Sequence, residues 1–164
     1  PAAVAAPFDT VTLCLSKGLG CPLGALLAGS EELIERAWRE KHLFGGAMRQ
    51  AGIVAAAGLY ALDHHLDRLA DDHRRARRLG EAWAAAGLPV DLERVETNFE
   101  QVDVAPLGLE RDEALELLRQ AGVGLSATIH PSVVRAVTHL DLSEEDVETA
   151  CRLVPDALLA HVGA

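Results

Sequence analysis

The chain has 164 residues, enough for one ordinary domain or two small units, and 49% of them are apolar but only 4% aromatic. That composition predicts a soluble globular chain whose core packs helices against a sheet. Twenty-five acidic residues against fifteen basic ones give a net charge of −10, which argues against nucleic acid as a partner, and no apolar run is long enough to cross a bilayer, which argues against a membrane. Cys14, Cys21 and Cys151 are odd in number and form no C-x-x-C pair, so no disulfide framework is expected and the reducing cytoplasm is the expected compartment. A start at Pro1 without methionine suggests a piece of a longer protein.

Taken in chain order, residues 10–15 alternate Val11, Leu13 and Leu15 with Thr10, Thr12 and Cys14, the period of a strand with unlike faces. Lys17 falls just beyond it, before Gly18-Leu19-Gly20. A second apolar run covers 23–28 and stops at Gly29-Ser30, where Ser30 can cap a helix that opens with Glu31 and Glu32 and runs to about Lys41. After Phe44-Gly45-Gly46 an apolar helix over 51–66 is expected to be buried on most sides, followed by a charged helix over 67–86 that stops at Gly87-Leu88-Pro89. The arginines at 74, 75, 77 and 78 on that helix read as a solvated face, since no aromatic residue interleaves with them to stack bases. A second unit follows: a strand over 99–104, a helix over 110–121 closed by Gly122, short strands over 123–127 and 133–137, and a helix from Glu144 opened by Ser143 and Asp146. Pro155 is expected to kink or end the last helix.

Four places could carry chemistry. Lys17, at the mouth of a sheet among small residues, has room to bond covalently to a carbonyl compound, though a solvated lysine at a strand end fits the same spacing. The glycines beside it form neither a P-loop nor a dinucleotide fingerprint. The segment 44–52 puts Gly45, Gly46 and Arg49 at the start of a helix, either as a phosphate or carboxylate site or as a plain turn between helices. Arg135 interrupts the apolar strand 133–137, where a buried guanidinium would need a partner, a substrate carboxylate or an internal carboxylate. The histidines come last. His64 and His65 are adjacent and point to different sides of a helix, His65 and His73 lack metal-ligand spacing, and His139 reads as structural, so no metal is expected.

Three of these segments, Cys14-Leu15-Ser16-Lys17-Gly18-Leu19-Gly20, Gly45-Gly46-Ala47-Met48-Arg49-Gln50-Ala51-Gly52 and Val134-Arg135-Ala136-Val137-Thr138-His139-Leu140-Asp141, together resemble, in order, the signature of low-specificity L-threonine aldolases. The resemblance spans nearly the whole chain and implies an α/β protein of fold type I, a pyridoxal 5′-phosphate enzyme that cleaves β-hydroxy-α-amino acids such as L-threonine to glycine and an aldehyde. It implies that residues 1–64 are the end of the cofactor-binding large domain and 65–164 a small C-terminal domain. By the same likeness Lys17 carries the cofactor, Arg49 lies in the cofactor region, Arg135 binds the substrate carboxylate, and the enzyme is a homotetramer. The family's aspartate for the pyridine nitrogen, its stacking histidine and its phosphate loop lie upstream of the lysine, so an N-terminal half outside this chain is expected to complete the site. One position departs from the pattern: many relatives have a lysine seven residues before the loop arginine, where this chain has His42, next to Lys41. Another lyase, racemase or transaminase reaction on the same fold, or a non-catalytic assembly module, is the alternative.

Overall fold

A computed structural model describes residues 2–161, which fall into two compact units divided between Asp67 and Arg68. In the first unit, helix α1 (Ala2–Ala5), not foreseen in the sequence, precedes strand β1 (Thr10–Cys14). This strand pairs antiparallel with β2 (Ala25–Gly29), in a register that sets Thr10 opposite Gly29 and Cys14 opposite Ala25. Helix α2 (Glu31–Leu43) starts where the Ser30 hydroxyl accepts the Leu33 N–H at 3.3 Å. It ends with the Gly45 N–H on the His42 carbonyl and the Gly46 N–H on the Lys41 carbonyl, with Gly45 at φ +77°. That paired closure is the Schellman arrangement, and its left-handed position requires glycine.

Helix α3 (Ala51–His64) corrects one expectation. Its buried residues are Gly58 and Ala61, whereas Ile53, Leu59 and Tyr60 are exposed. The helix is apolar all round, but a two-stranded hairpin covers only one stripe of it, and that stripe is made of its smallest residues.

The second unit is a three-stranded antiparallel sheet ordered β3-β5-β4, from β3 (Phe99–Asp103), β4 (Ser126–Ala127) and β5 (Val133–Val137). Helices α4 (Leu69–Ala85), α5 (Arg111–Gln120) and α6 (Glu144–Leu159) accompany it. Val102 and Val134 turn inward to join Trp83, Leu118, Val154 and Leu158 in a core from which solvent is shut out. The indole N–H of Trp83 donates to the Ala150 carbonyl at 3.1 Å, which satisfies the polar end of the largest core side chain. Gly87 and Gly122 close α4 and α5 as Gly45 closes α2.

Two further expectations change here. Helix α6, opened by a Ser143–Asp146 capping box, continues through Pro155 to Leu159. Proline removes the bond to the Cys151 carbonyl at a cost of about 3 kcal/mol. Val154 and Leu158, both fully buried, hold the last turns against the core and offset that cost. The arginines of α4 are more than a solvated face. Arg78 grips Glu148 of α6 with two bonds of 2.7 Å and Arg75 meets Glu144 at 3.0 Å, while Arg68, just before the helix, pairs with the buried Asp72 at 2.6 Å.

Candidate functional site

Lys17 stands in the ten-residue connection between β1 and β2, and the structure explains why that connection holds a shape. Leu15, Leu19 and Cys21 are buried while Ser16 and Lys17 between them are exposed. The Cys21 N–H donates to the Leu15 carbonyl at 3.1 Å and the Gly20 N–H to the Lys17 carbonyl at 2.8 Å, folding the segment into a tight turn with the lysine at its start. Two contacts tie the turn to α3 and the residue just past it: His65 Nδ1 donates to the Leu19 carbonyl at 2.7 Å, and Cys21 Sγ donates to the Ala57 carbonyl at 3.5 Å. Leu15 lies over Gly58, where a Cβ would stand 3.2 Å from its Cδ1. The small-residue stripe of α3 is therefore the seat of the lysine turn.

Nζ of Lys17 donates to Cys14 Sγ at 2.9 Å, and among the described residues it forms no ion pair with a carboxylate. That hydrogen bond is the main reason the Cys14 thiol is lowered to about 7, with a second from Ser16. The amine is thus exposed beside a sulfur acceptor, on a turn whose neighbours Leu15, Leu19 and Cys21 are buried.

Arg49 is exposed in the turn before α3. Gln50 caps that helix in the left-handed region at φ 53° with no side-chain hydrogen bond, so the first N–H groups of α3 are left without a side-chain acceptor. Gly45 and Gly46 belong instead to the end of α2, which favours the plain-turn reading of the glycines and leaves Arg49 as the charged group of the segment. Lys41 and His42 are occupied by Trp38: Lys41 Nζ lies 5.1 Å from its ring centre and His42 Nδ1 donates to its carbonyl at 2.8 Å.

In the second unit, the alternation along β5 buries Val134 and Ala136 and puts Arg135 on the opposite, half-open face. The strand is buried on one side only, which corrects the expectation of a mostly buried one. No carboxylate pairs with Arg135 among the described residues, so the internal ion pair is not what holds it. Its Cζ lies 4.9 Å from the Phe99 ring centre and its Nε donates to Ser126 Oγ at 3.3 Å. Thr138, in the same motif, is structural: its buried hydroxyl donates to the Asp72 carbonyl at 2.6 Å. His139 is half-exposed, with Nδ1 accepting the Asp141 N–H at 3.3 Å. No cluster of three metal-ligating side chains occurs among the described residues, and no described helix is long and apolar enough to cross a membrane.

Sequence reasoning missed Cys14, His65, Gly58, Phe99 and Ser126 as parts of these arrangements. For Phe99 and Ser126 a signal existed, since both occupy strand positions of the same parity as Arg135 once the register is known. His65 reaches a carbonyl 46 residues away, and nothing local announces that.

The architecture is that of the fold type I enzymes. A Sphingomonas wittichii serine palmitoyltransferase superposes with a TM-score of 0.75 at 22% identity, over 98% of this chain and 42% of that one. A serine palmitoyltransferase structure described as holding a PLP internal aldimine superposes at 0.70 and 18% identity, over 95% of this chain and 41% of that one. The chain belongs to the beta-eliminating lyase family, whose pattern it matches over residues 1–106. It is also 44% identical over 140 residues to the low specificity L-threonine aldolase of Escherichia coli strain K12. That match takes in 85% of this chain, which spans about 40% of the length of that relative.

Proposed function

We propose that this chain supplies the lysine and the carboxylate-binding arginine of a pyridoxal 5′-phosphate-dependent aldolase that cleaves L-threonine and related β-hydroxy-α-amino acids to glycine and an aldehyde. The observation that carries the reading is the Lys17 turn: an exposed amine, paired with a thiol instead of a carboxylate, on a segment whose neighbours are anchored. The identity to the Escherichia coli aldolase supports the choice of reaction.

The donor set fits the cofactor. Lys17 Nζ is exposed and so accessible for a covalent bond to an aldehyde. When bound, pyridoxal phosphate supplies an electron sink into which the Cα–Cβ bonding pair of the substrate can be released. The protein's share is positioning. Lys17 would hold the cofactor on its turn, and Cys14, which accepts from Nζ at 2.9 Å, would help place the amine at the end of β1. Arg135 binds the substrate carboxylate with its planar fork. Arg49 adds positive charge beside the open N–H groups of α3, a combination suited to the cofactor's phosphate. We assign residues 1–64 to the end of the large domain and 65–164 to the small domain, and place the assembled enzyme in the cytoplasm as a homotetramer.

Borohydride reduction of the full-length holoenzyme, followed by peptide mass analysis, tests the reading. The reduced cofactor is expected on the peptide that contains Lys17, and equimolar glycine and acetaldehyde are expected from threonine before reduction. A label on another lysine overturns the assignment; 2-oxobutyrate and ammonia as the products overturn the reaction.

A further inference from the structure

We propose that Phe99 and Ser126 are positioning residues for Arg135, setting its guanidinium so that its two terminal nitrogens are presented together to a carboxylate. The inference rests on the carboxylate-binding reading of Arg135 given above. β5 is the middle strand of the sheet, so Arg135 has a neighbour on each side: Gln101 of β3 and Ser126 of β4 stand directly opposite it. Phe99, opposite Val137, is the diagonal neighbour on the same face, within reach of a long side chain.

Each contact takes a different part of the arginine. Cζ of Arg135 lies over the Phe99 ring, 4.9 Å from its centre. The Ser126 hydroxyl accepts from Nε at 3.3 Å and donates to the Arg135 carbonyl at 3.2 Å, so it is itself held by the backbone of the residue it orients. Nη1 and Nη2 have no hydrogen-bond partner among the described residues. With the ring holding Cζ and the serine holding Nε, the guanidinium is fixed at two points and the two free nitrogens have a defined direction.

Arginine is rich in rotamers, and ordering it only when substrate arrives would weaken binding. Bidentate recognition is also directional, so a tilted plane loses one of its two bonds. Fixing the side chain in advance removes both losses. The expected signature is in substrate affinity and not in the chemical step, because neither Phe99 nor Ser126 is asked to touch the reacting atoms. Phe99 is 41% exposed, so its replacement leaves the core of the second unit intact.

The test uses the full-length holoenzyme and compares glycine with methylamine, the same amine without the carboxylate, both titrated through the cofactor's absorbance. Wild type is expected to prefer glycine, and Arg135→Leu to remove the preference. Phe99→Leu and Ser126→Ala are each expected to lower the preference roughly three- to five-fold, the scale of one cation–π contact or one hydrogen bond. Methylamine affinity and kcat should be unchanged, KM for threonine should rise by the same factor, and Phe99→Tyr should restore wild-type values. Phe99→Leu added to Arg135→Leu should change nothing further. Equal losses for glycine and methylamine, or an additive double variant, would show Phe99 acting independently of Arg135 and overturn the proposal. If Arg135→Leu removes the preference but Phe99→Leu and Ser126→Ala leave it intact, the positioning role alone fails. If Arg135→Leu keeps the wild-type preference, the carboxylate reading fails and the positioning role falls with it.

Discussion

Replacing Glu100 with glutamine should stabilise the second unit at alkaline pH and leave it nearly unchanged under mild acid. Glu100 sits on the inward face of β3 beside Val102, only 2% exposed, and its Oε2 has no hydrogen-bond partner. Its carboxyl lies against Gly80 of α4, where a Cβ would stand 2.5 Å from Oε2. Burial pushes the carboxyl from 4.5 up to about 7, opposed by a hydrogen bond from the Gln101 backbone and by the charge of Arg77, and reinforced by Asp91. A folded-state value above the unfolded one means that stability is full below about 4.5 and is lost as pH rises through about 7. A displacement of that size is worth at most about 3–4 kcal/mol, and the open cleft lined by Asp91, Arg94 and Glu96 screens part of it, leaving about 1–2 kcal/mol. Glutamine keeps the shape without the charge. Hydrogen exchange of the β3 and α4 amides in the full-length protein, corrected for intrinsic pH dependence, should be near-equal for the two proteins at about pH 4 and roughly five- to thirty-fold slower in the variant at about pH 8. The same difference at both pH values would show that the carboxylate carries no burial penalty.

Alkylation of Cys14 in the cofactor-free full-length protein should follow thiolate formation with a midpoint of about 7, and Lys17→Met should move that midpoint upward because the donated hydrogen bond is its largest cause. Iodoacetamide labelling read by mass spectrometry decides this, and an unmoved midpoint refutes it. Gly58→Val should push Leu15 off its seat at a cost of about 1–3 kcal/mol and reduce cofactor retained per chain. Gly52→Ala, whose Cβ meets nothing within 4 Å, should retain it fully; equal retention in both variants would show that the Leu15 seat does not govern the lysine turn.

What the sequence revealed and what it hid follow from the range of each interaction. Period-two alternation located β1, and short apolar-rich runs located β3 and β5, to within a residue at each end, and glycine stops located the ends of α4 and α5, because these signals are local. The α3 expectation failed because composition reports how much apolar surface a helix has and not what covers it. Pro155 failed for the opposite reason: a strong local signal was outweighed by burial of Val154 and Leu158, whose partners come from distant segments. Lys17, Arg49 and Arg135 stood out as charged residues in apolar or glycine-rich surroundings. The residues that position them did not, since His65, Phe99 and Ser126 act only through pairing across many residues.

The arginines of α4 and the glutamates of α6 also act as a key for alignment. Arg74 and Arg75 meet Glu144 while Arg78 meets Glu148, so the spacing of four on one helix is matched by a spacing of four on the other. If α6 slid back by one turn, Glu148 would replace Glu144 and keep the first contact, but Arg152 would then face Arg78. Like charges would meet where opposite charges had been, a penalty of a few tenths of a kcal/mol or more depending on exposure. Apolar packing alone is tolerant of such a slip, since leucine and valine recur along the helix. The charges give the correctly docked helix a mark that its nearest misaligned neighbour lacks.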